Sequence, residues 1–269
     1  MTKVFDDKAR WDMINSYKEF HYDGTPIKDM IVKPVSCSFA RPYIATFHYS
    51  KTMPDSTLYA FAGYLNGELC GIACFGMGAG KNQYTSLVPD IKNGEYIELT
   101  RLWCPDCMPR NTESKLISES LKMLPKEIKL VLSFSDTSRD HSGTIYQATN
   151  WYYCGCNNGG KMLLTPDGVE KHPRLIGIYR MRHPELKDKS TQEIMDLLGY
   201  TYTTGGRKNR YVYLRGDKRA KKRLYANIRQ FILPYPKQPK KANMKTEAQI
   251  IKEEAETVLS GGGSIQLAF

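Results

Sequence analysis

Apolar and polar positions change period several times along the chain, and each change predicts an element. The cleanest signal is a pair of apolar runs, Leu58 to Leu65 and Glu68 to Phe75, joined by Asn66-Gly67. Asn-Gly reaches the positive φ angles of a type I′ turn at little cost, so this stretch predicts a β-hairpin. Upstream, Ile31 to Val35 predicts a short strand. Cys37 to Ser50 predicts a helix with Pro42 in its first turn, where a missing N–H is tolerated. Residues 77–94 are glycine-rich and polar and predict a loop. Tyr96 to Cys104 alternates as a strand. After a turn at Pro105 to Arg110, Leu116, Ile117, Leu121 and Leu124 mark an amphipathic helix that Asn111 or Thr112 can cap. Lys129 to Phe134 predicts a strand, Asp136 to Gly143 a polar loop, Thr144 to Thr149 a short helix and Trp151 to Cys156 a further strand.

This succession of strand, helix, strand, helix, strand implies right-handed crossovers and a partly parallel sheet. The preceding hairpin makes the sheet mixed, so the predicted class is α/β with a mixed sheet. Residues 1–165 read as a catalytic core whose first 30 residues dock on it. Residues 157–210 show no regular period. Tyr211 to Leu214 and Lys218 to Leu233 predict a strand and a basic helix stopped by Pro234-Tyr235-Pro236. Residues 166–236 therefore read as a basic strand-helix appendage on the core, and 237–269 as a polar tail.

Composition adds a partner. The formal net charge is +11 over 269 residues, which favours a polyanion. The bases concentrate between residues 205 and 223: Arg207, Lys208, Arg210, Arg215, Lys218, Arg219, Lys221, Lys222 and Arg223 stand against Asp217, with Tyr211, Tyr213 and Tyr225 interleaved. That density suits phosphate tracking and predicts a DNA-binding surface formed by Arg207, Lys208, Arg210, Lys218, Arg219, Lys221 and Lys222. No segment approaches the roughly 20 apolar residues of a membrane span, and the charged N-terminus lacks an apolar run, so a cytoplasmic protein is expected. The seven cysteines are odd in number and scattered, which suits reduced thiols. Cys104, Cys107, Cys154 and Cys156 have spacings that zinc or an iron–sulfur centre uses. An intervening strand is expected to separate the pairs, so no metal is predicted.

The helix after Arg110 offers a second kind of site. Its first amides lack internal partners and its dipole favours anions. Arg110, Asn111, Thr112 and Ser114 stand at that end.

The run from Tyr96 to Gly155 resembles the central motifs of the GNAT acyltransferase superfamily. There, a helix N-terminus following a strand grips the pyrophosphate of acyl-coenzyme A. The matching stretch here is Arg110-Asn111-Thr112-Glu113-Ser114-Lys115, without the family's glycines. A second stretch, Ile145 to Tyr152, resembles the segment whose tyrosine protonates the departing thiolate. That role falls on Tyr146, with Asn150 beside the donor. A longer resemblance, over most of residues 40–236, is to the phage Mom-like branch. It is carried by His48-Tyr49-Ser50 with Met53-Pro54, Leu99 to Trp103, Pro109 to Ser114, Ser133 to Asp136, His141 to Ala148 and Leu233 to Lys237. The resemblance implies acetyl-CoA or a related acyl-CoA as donor. It also implies conversion of adenine in DNA to its N6-carbamoylmethyl form, as a shield against restriction.

Such a transfer needs a proton acceptor at the amine, a proton donor at the leaving group and a stabiliser of negative charge. A cleft between strands 96–104 and 129–135 would face Arg101, Asp136 and Tyr146. Asp136 is the expected acceptor. Arg101 holds the donor carbonyl or pairs with Asp136, and Tyr146 is the acid. His48 and Tyr49 are expected to contact a flipped base, and His141 reads as a solvent-facing loop residue. The competing readings are an N-acetyltransferase acting on a protein or small amine, and a non-catalytic DNA-binding protein on the same fold.

Overall fold

The computed structural model describes residues 22–78, 80–137 and 142–237. The expected N-terminal docking segment falls largely outside them, as do His141 and nearly all of the expected polar tail. Edge strand β1 (Ile31–Val35) leads to α1 (Cys37–Phe47) and then to the hairpin of β2 (Thr57–Leu65) and β3 (Glu68–Gly76). The hairpin turns on Asn66 and Gly67 at φ 49° and 84°, as their positive-φ tolerance requires. The loop after β3 contains a single helical turn, α2 (Asn82–Thr85). Next come β4 (Tyr96–Trp103), α3 (Thr112–Met123), β5 (Leu130–Asp136), α4 (Thr144–Ala148) and β6 (Tyr152–Cys156).

Two local expectations need correction. The N-cap of α1 is Ser36, whose side chain accepts from Phe39 N–H at 3.1 Å, so Pro42 lies inside the helix rather than in its first turn. Neither Asn111 nor Thr112 caps α3 through its side chain. Asn111 instead adopts a left-handed conformation at φ 74°, and the Thr112 hydroxyl bonds back to Pro109 C=O at 2.8 Å.

Residues 157–210 are not irregular. They fold into a small three-stranded sheet of β7 (Lys161–Leu164), β8 (Glu170–Lys171) and β9 (Thr201–Thr204), with α5 (Arg174–Arg182) and α6 (Thr191–Leu198). Leu163, Ile176, Ile194 and Met195 form its own buried cluster. A capping box of Ser190 and Glu193 starts α6, and Gly199 at φ 65° ends it, the preferred chemistry for both helix ends.

The main sheet has the order β1-β2-β3-β4-β5-β10-β6, where β10 is Lys208–Leu214. Among the described residues its only parallel pair is β4 with β5; the other pairs are antiparallel. The mixed α/β class is as expected. One feature of the topology was not legible beforehand: β10 (Lys208–Leu214), read from sequence as part of an appendage, fills the gap between β5 and β6. α7 (Lys218–Ile228) then packs against β10 through Leu224 and Ile228.

Strand alternation sends successive side chains to opposite faces, and the buried clusters follow it. Ile97, Leu99, Val131, Tyr146 and Tyr211 pack with α3 on one face. On the other, α1 covers Ile72, Cys74 and Trp103. Farther along that face, Tyr84 and α7 cover Tyr96, Leu130, Leu132 and Val212. The two clusters on this second face leave a polar stretch of sheet between them.

Candidate functional site

That stretch lies where the parallel pair opens. β4 and β5 pair only at Tyr96 with Leu130, Ile97 with Val131 and Glu98 with Leu132. Beyond that point β4 continues with β3 as far as Trp103, and β5 continues with β10 as far as Asp136. The strands therefore splay, and a V-shaped cleft opens between their C-terminal ends. A bulge helps to turn β4: Phe75 pairs with Leu99 and Cys74 with Arg101, leaving Thr100 as the extra residue. An inserted residue of this kind bends its strand and re-aims the side chains that follow.

Glu98 follows Tyr96 by two and shares its face. After the bulge, Arg101 precedes Trp103 by two and shares that same face. On β5, Asp136 follows Leu132 and Phe134 by even steps and joins them. Arg101 and Asp136 thus stand on one side of the sheet, on opposite arms of the V. The Arg101 guanidinium is held by Thr52 C=O at 2.8 Å and Thr100 C=O at 2.6 Å, so its position is set by backbone carbonyls. Burial pulls its pKa down, while Tyr49, Glu98 and Cys74 oppose the shift. Glu98, which sequence reasoning passed over, acts electrostatically on Arg101, Tyr146 and Tyr84. Its carboxylate would lie 2.7 Å from a Cβ built on Gly78, so the glycine-rich loop after β3 closes directly over it. Its sole advance signal was a charge at a strand position flanked by Ile97 and Leu99.

Two aromatics come from the end of α1. His48 is its C-cap and is buried, while Tyr49 is half exposed. Their rings lie 4.3 Å apart. Ser50 N–H donates to His48 Nδ1 at 3.1 Å, so the neutral ring carries its proton on Nε2. Tyr49 acts electrostatically on both Arg101 and Tyr146, which brings the first helix to the mouth of the cleft.

Tyr146 approaches from the opposite face, at the apex of the V. The Ser133 hydroxyl bonds Leu99 C=O at 2.9 Å and the Tyr146 hydroxyl at 2.8 Å. Burial drives the Tyr146 phenol well above its usual range; the Ser133 bond opposes this, and Tyr49, Glu98 and Tyr211 add to it. The Tyr146 ring stacks on Tyr211 at 4.9 Å, and Tyr211 in turn donates to Ser142 C=O. Gly143 makes this possible, because a Cβ there would strike the Tyr211 ring at 2.4 Å.

The expected donor residues separate. Arg110 and Asn111 are exposed and Ser114 half-buried at the start of α3, whereas Thr112 is fully buried with its hydroxyl spent. Thr112 therefore offers a ligand its backbone only. Asn150 is elsewhere. It borders a cavity of about 360 Å³ with Ser118, Leu121 and Lys122 from the second half of α3, far from that helix's first turn. Ser135, on the same face of β5 as Ser133, has a buried hydroxyl without a hydrogen-bond partner among the described residues.

The basic run also separates. Arg207 and Lys208 are exposed, and Lys208 pairs in register with Asp136 at the cleft mouth. Lys218, Arg219, Lys221 and Lys222 are exposed on α7, beyond the opposite end of β10. Arg210 is half-buried between them, and its guanidinium donates to Cys154 C=O at 3.1 and 3.3 Å. Arg215 is likewise committed. It donates to the carbonyls of Leu124, Pro125 and Ile128 at 2.7–2.9 Å, closing the C-terminal end of α3. Cys104 and Cys154 are thiols whose pKa burial raises, that of Cys154 to about 11.

The family model described as the Mom protein family matches residues 29–237. The chain is 31% identical over 222 residues to the methylcarbamoylase mom of Escherichia phage Mu, covering 80% of this chain and 86% of that protein. Among solved structures, an Elizabethkingia anophelis GNAT family acetyltransferase with acetyl-CoA bound is similar with a TM-score of 0.40 and 10% identity, over 69% of this chain and 98% of that one. The ribosomal-protein-S18-alanine N-acetyltransferase of Escherichia coli is similar with a TM-score of 0.37 and 10% identity, over 70% of this chain and 95% of that one. On the extent of the family match and the identity to the phage Mu protein, the chain belongs to the Mom protein family.

Proposed function

We propose that the protein is a phage DNA-modifying transferase that passes an acyl group from an acyl-CoA-type donor to the N6 amine of adenine, with release of the donor's free thiol. The observation that carries this reading is the splayed cleft. It presents Glu98, Arg101 and Asp136 on one face and the Tyr146 hydroxyl at its apex, in a chain that matches the Mom family throughout the region.

The residues present fit such a donor. The open edges of β4 and β5 offer backbone groups to an extended amide chain, and the buried Ser135 hydroxyl adds a polar anchor. The first turn of α3 meets the pyrophosphate with backbone amides and with Arg110, Asn111 and Ser114. When bound, the donor supplies a group activated as a thioester. The protein's part is to position and to move protons. Asp136 or Glu98 takes the proton released by the attacking amine. Arg101, fixed by Thr52 and Thr100, stabilises negative charge at the centre under attack. Tyr146, protonated at any physiological pH, gives a proton to the departing sulfur. Ser133 can then turn its own proton toward the phenolate. Tyr49, exposed beside His48, is placed to stack on the adenine after it leaves the duplex.

The test is expression in bacteria, digestion of plasmid DNA to nucleosides and mass measurement of adenosine. A new adenosine species is expected, and it should vanish in Asp136→Asn and fall at least about 100-fold in Glu98→Gln. Unmodified adenosine in DNA from cells making soluble wild-type protein would overturn the reading.

A further inference from the structure

The basic residues that sequence places in one run occupy two separate places. Arg207 and Lys208 flank the cleft, with Lys208 opposite Asp136. Between them and α7 lies the full length of β10, seven residues from Lys208 to Leu214. At the rise of an extended strand, that is roughly 20 Å.

The far group is built as a face. Lys218, Lys221, Lys222 and Tyr225 follow one another at i, i+3, i+4 and i+7, so they share one side of α7. The helix sequence from Lys218 to Ile228 contains no acid, so nothing on the helix itself offsets the mutual repulsion of these lysines. Arg223 points another way and pairs with Asp90. Lys221, Lys222 and Tyr225 line a cavity of about 370 Å³ with Asn150, Tyr152, Tyr213 and Leu214. Lys221 also borders the adjoining cavity with Lys122; Arg215 lies there too, but its guanidinium is spent on backbone carbonyls. Neither cavity has a carboxylate in its lining. A face of cations and tyrosines without acids suits phosphates.

Resting on the proposed function, we infer that this face is a second DNA contact, separate from the cleft. It grips the phosphate backbone of the duplex flanking the target, on one side. At the 3.4 Å rise of a strand, 20 Å corresponds to about six base pairs from the extruded adenine. Arg207 and Lys208 hold the backbone beside the base, and α7 fixes the direction in which the duplex leaves.

Two measurements test this. In the first, binding to a 24-base-pair duplex is followed against salt. Lys221→Ala with Lys222→Ala should lower the slope of log affinity on log salt by about 2. An unchanged slope overturns the inference whether or not adenine is modified. In the second, a DNA-cleaving reagent is tethered to Lys222→Cys or to Lys208→Cys, each with Cys107→Ser, on a duplex holding one target adenine. The Lys208→Cys conjugate should cut beside the adenine, and the Lys222→Cys conjugate about six base pairs to one side. Discrete cutting from Lys208→Cys with none, or at the same place, from Lys222→Cys overturns the second contact. Unlocalised cutting from Lys208→Cys speaks against the target-base reading instead, and the salt slope then decides the inference.

Discussion

The hydroxyls of Ser133 and Tyr146 meet 2.8 Å apart, where β4 and β5 part company. Ser133 comes from an arm of the cleft and Tyr146 from the helix behind it, so this bond ties Tyr146 to the strand that opens. Tyr146→Phe removes the proposed proton donor and should lower modification roughly 100-fold. Its cost in stability should be only about 1 kcal/mol, since Ser133 keeps the Leu99 carbonyl. Ser133→Ala should slow modification less, by about tenfold. Nucleoside mass measurement and denaturant unfolding separate the two effects. Equal losses of activity and stability would mark Tyr146 as a packing residue.

Gly143 should be intolerant of any side chain. Its φ of 78° is left-handed, and a Cβ would run into the Tyr211 ring. Gly143→Ala is expected to displace Tyr211 from Tyr146 and to destabilise the protein by about 2 kcal/mol. Tyr211→Phe, which keeps the ring but loses the bond to Ser142, should be milder. Thermal unfolding of the two variants, with modification measured alongside, checks the order.

The protein should unfold in alkali. Burial raises Tyr84 and Tyr146 well above 10.0 and Tyr211 to about 12. Each is raised in the fold, so its contribution is complete below the unfolded value near 10.0 and is lost as pH rises through the folded value. Stability should therefore decline from about pH 10 upward. Tyr84 offers the clearest variant, because its buried hydroxyl has no hydrogen-bond partner among the described residues. Tyr84→Phe should leave neutral-pH stability unchanged or slightly higher and move the alkaline midpoint up. Circular dichroism against pH, with tyrosinate absorbance, reads both. A midpoint that Tyr84→Phe leaves in place would contradict this account.

Arg215 belongs to the basic run but not to the proposed DNA surface. Its three bonds to the Leu124, Pro125 and Ile128 carbonyls, in the turn that follows α3, predict that Arg215→Ala costs about 2–3 kcal/mol while the salt slope of DNA binding stays as in wild type. Arg215→Lys should not restore stability, because one ammonium cannot reproduce the fork. Chemical denaturation and binding titrations test the pair.

Local chemistry was enough to read the hairpin at Asn66-Gly67 and the strand and helix around Arg110, whereas β5, expected to end at Phe134, runs on to Asp136. The legible elements each depend on contacts within a few residues, which a period or a turn dipeptide reports directly. The family resemblance gave Tyr146 its expected role, the charge at a mid-strand position gave Arg101 its own, and tertiary structure set both beside the cleft. What sequence could not decide was pairing between distant strands. β10 takes its place between β5 and β6 across more than fifty intervening residues, and no local pattern encodes that choice. That insertion divides one basic run into a cleft-side pair and a distant helix face, and it commits Arg210 and Arg215 to backbone carbonyls. Glu98 joined the site for the same reason. A carboxylate in an alternating strand has no assigned purpose until the fold shows which neighbours close over it.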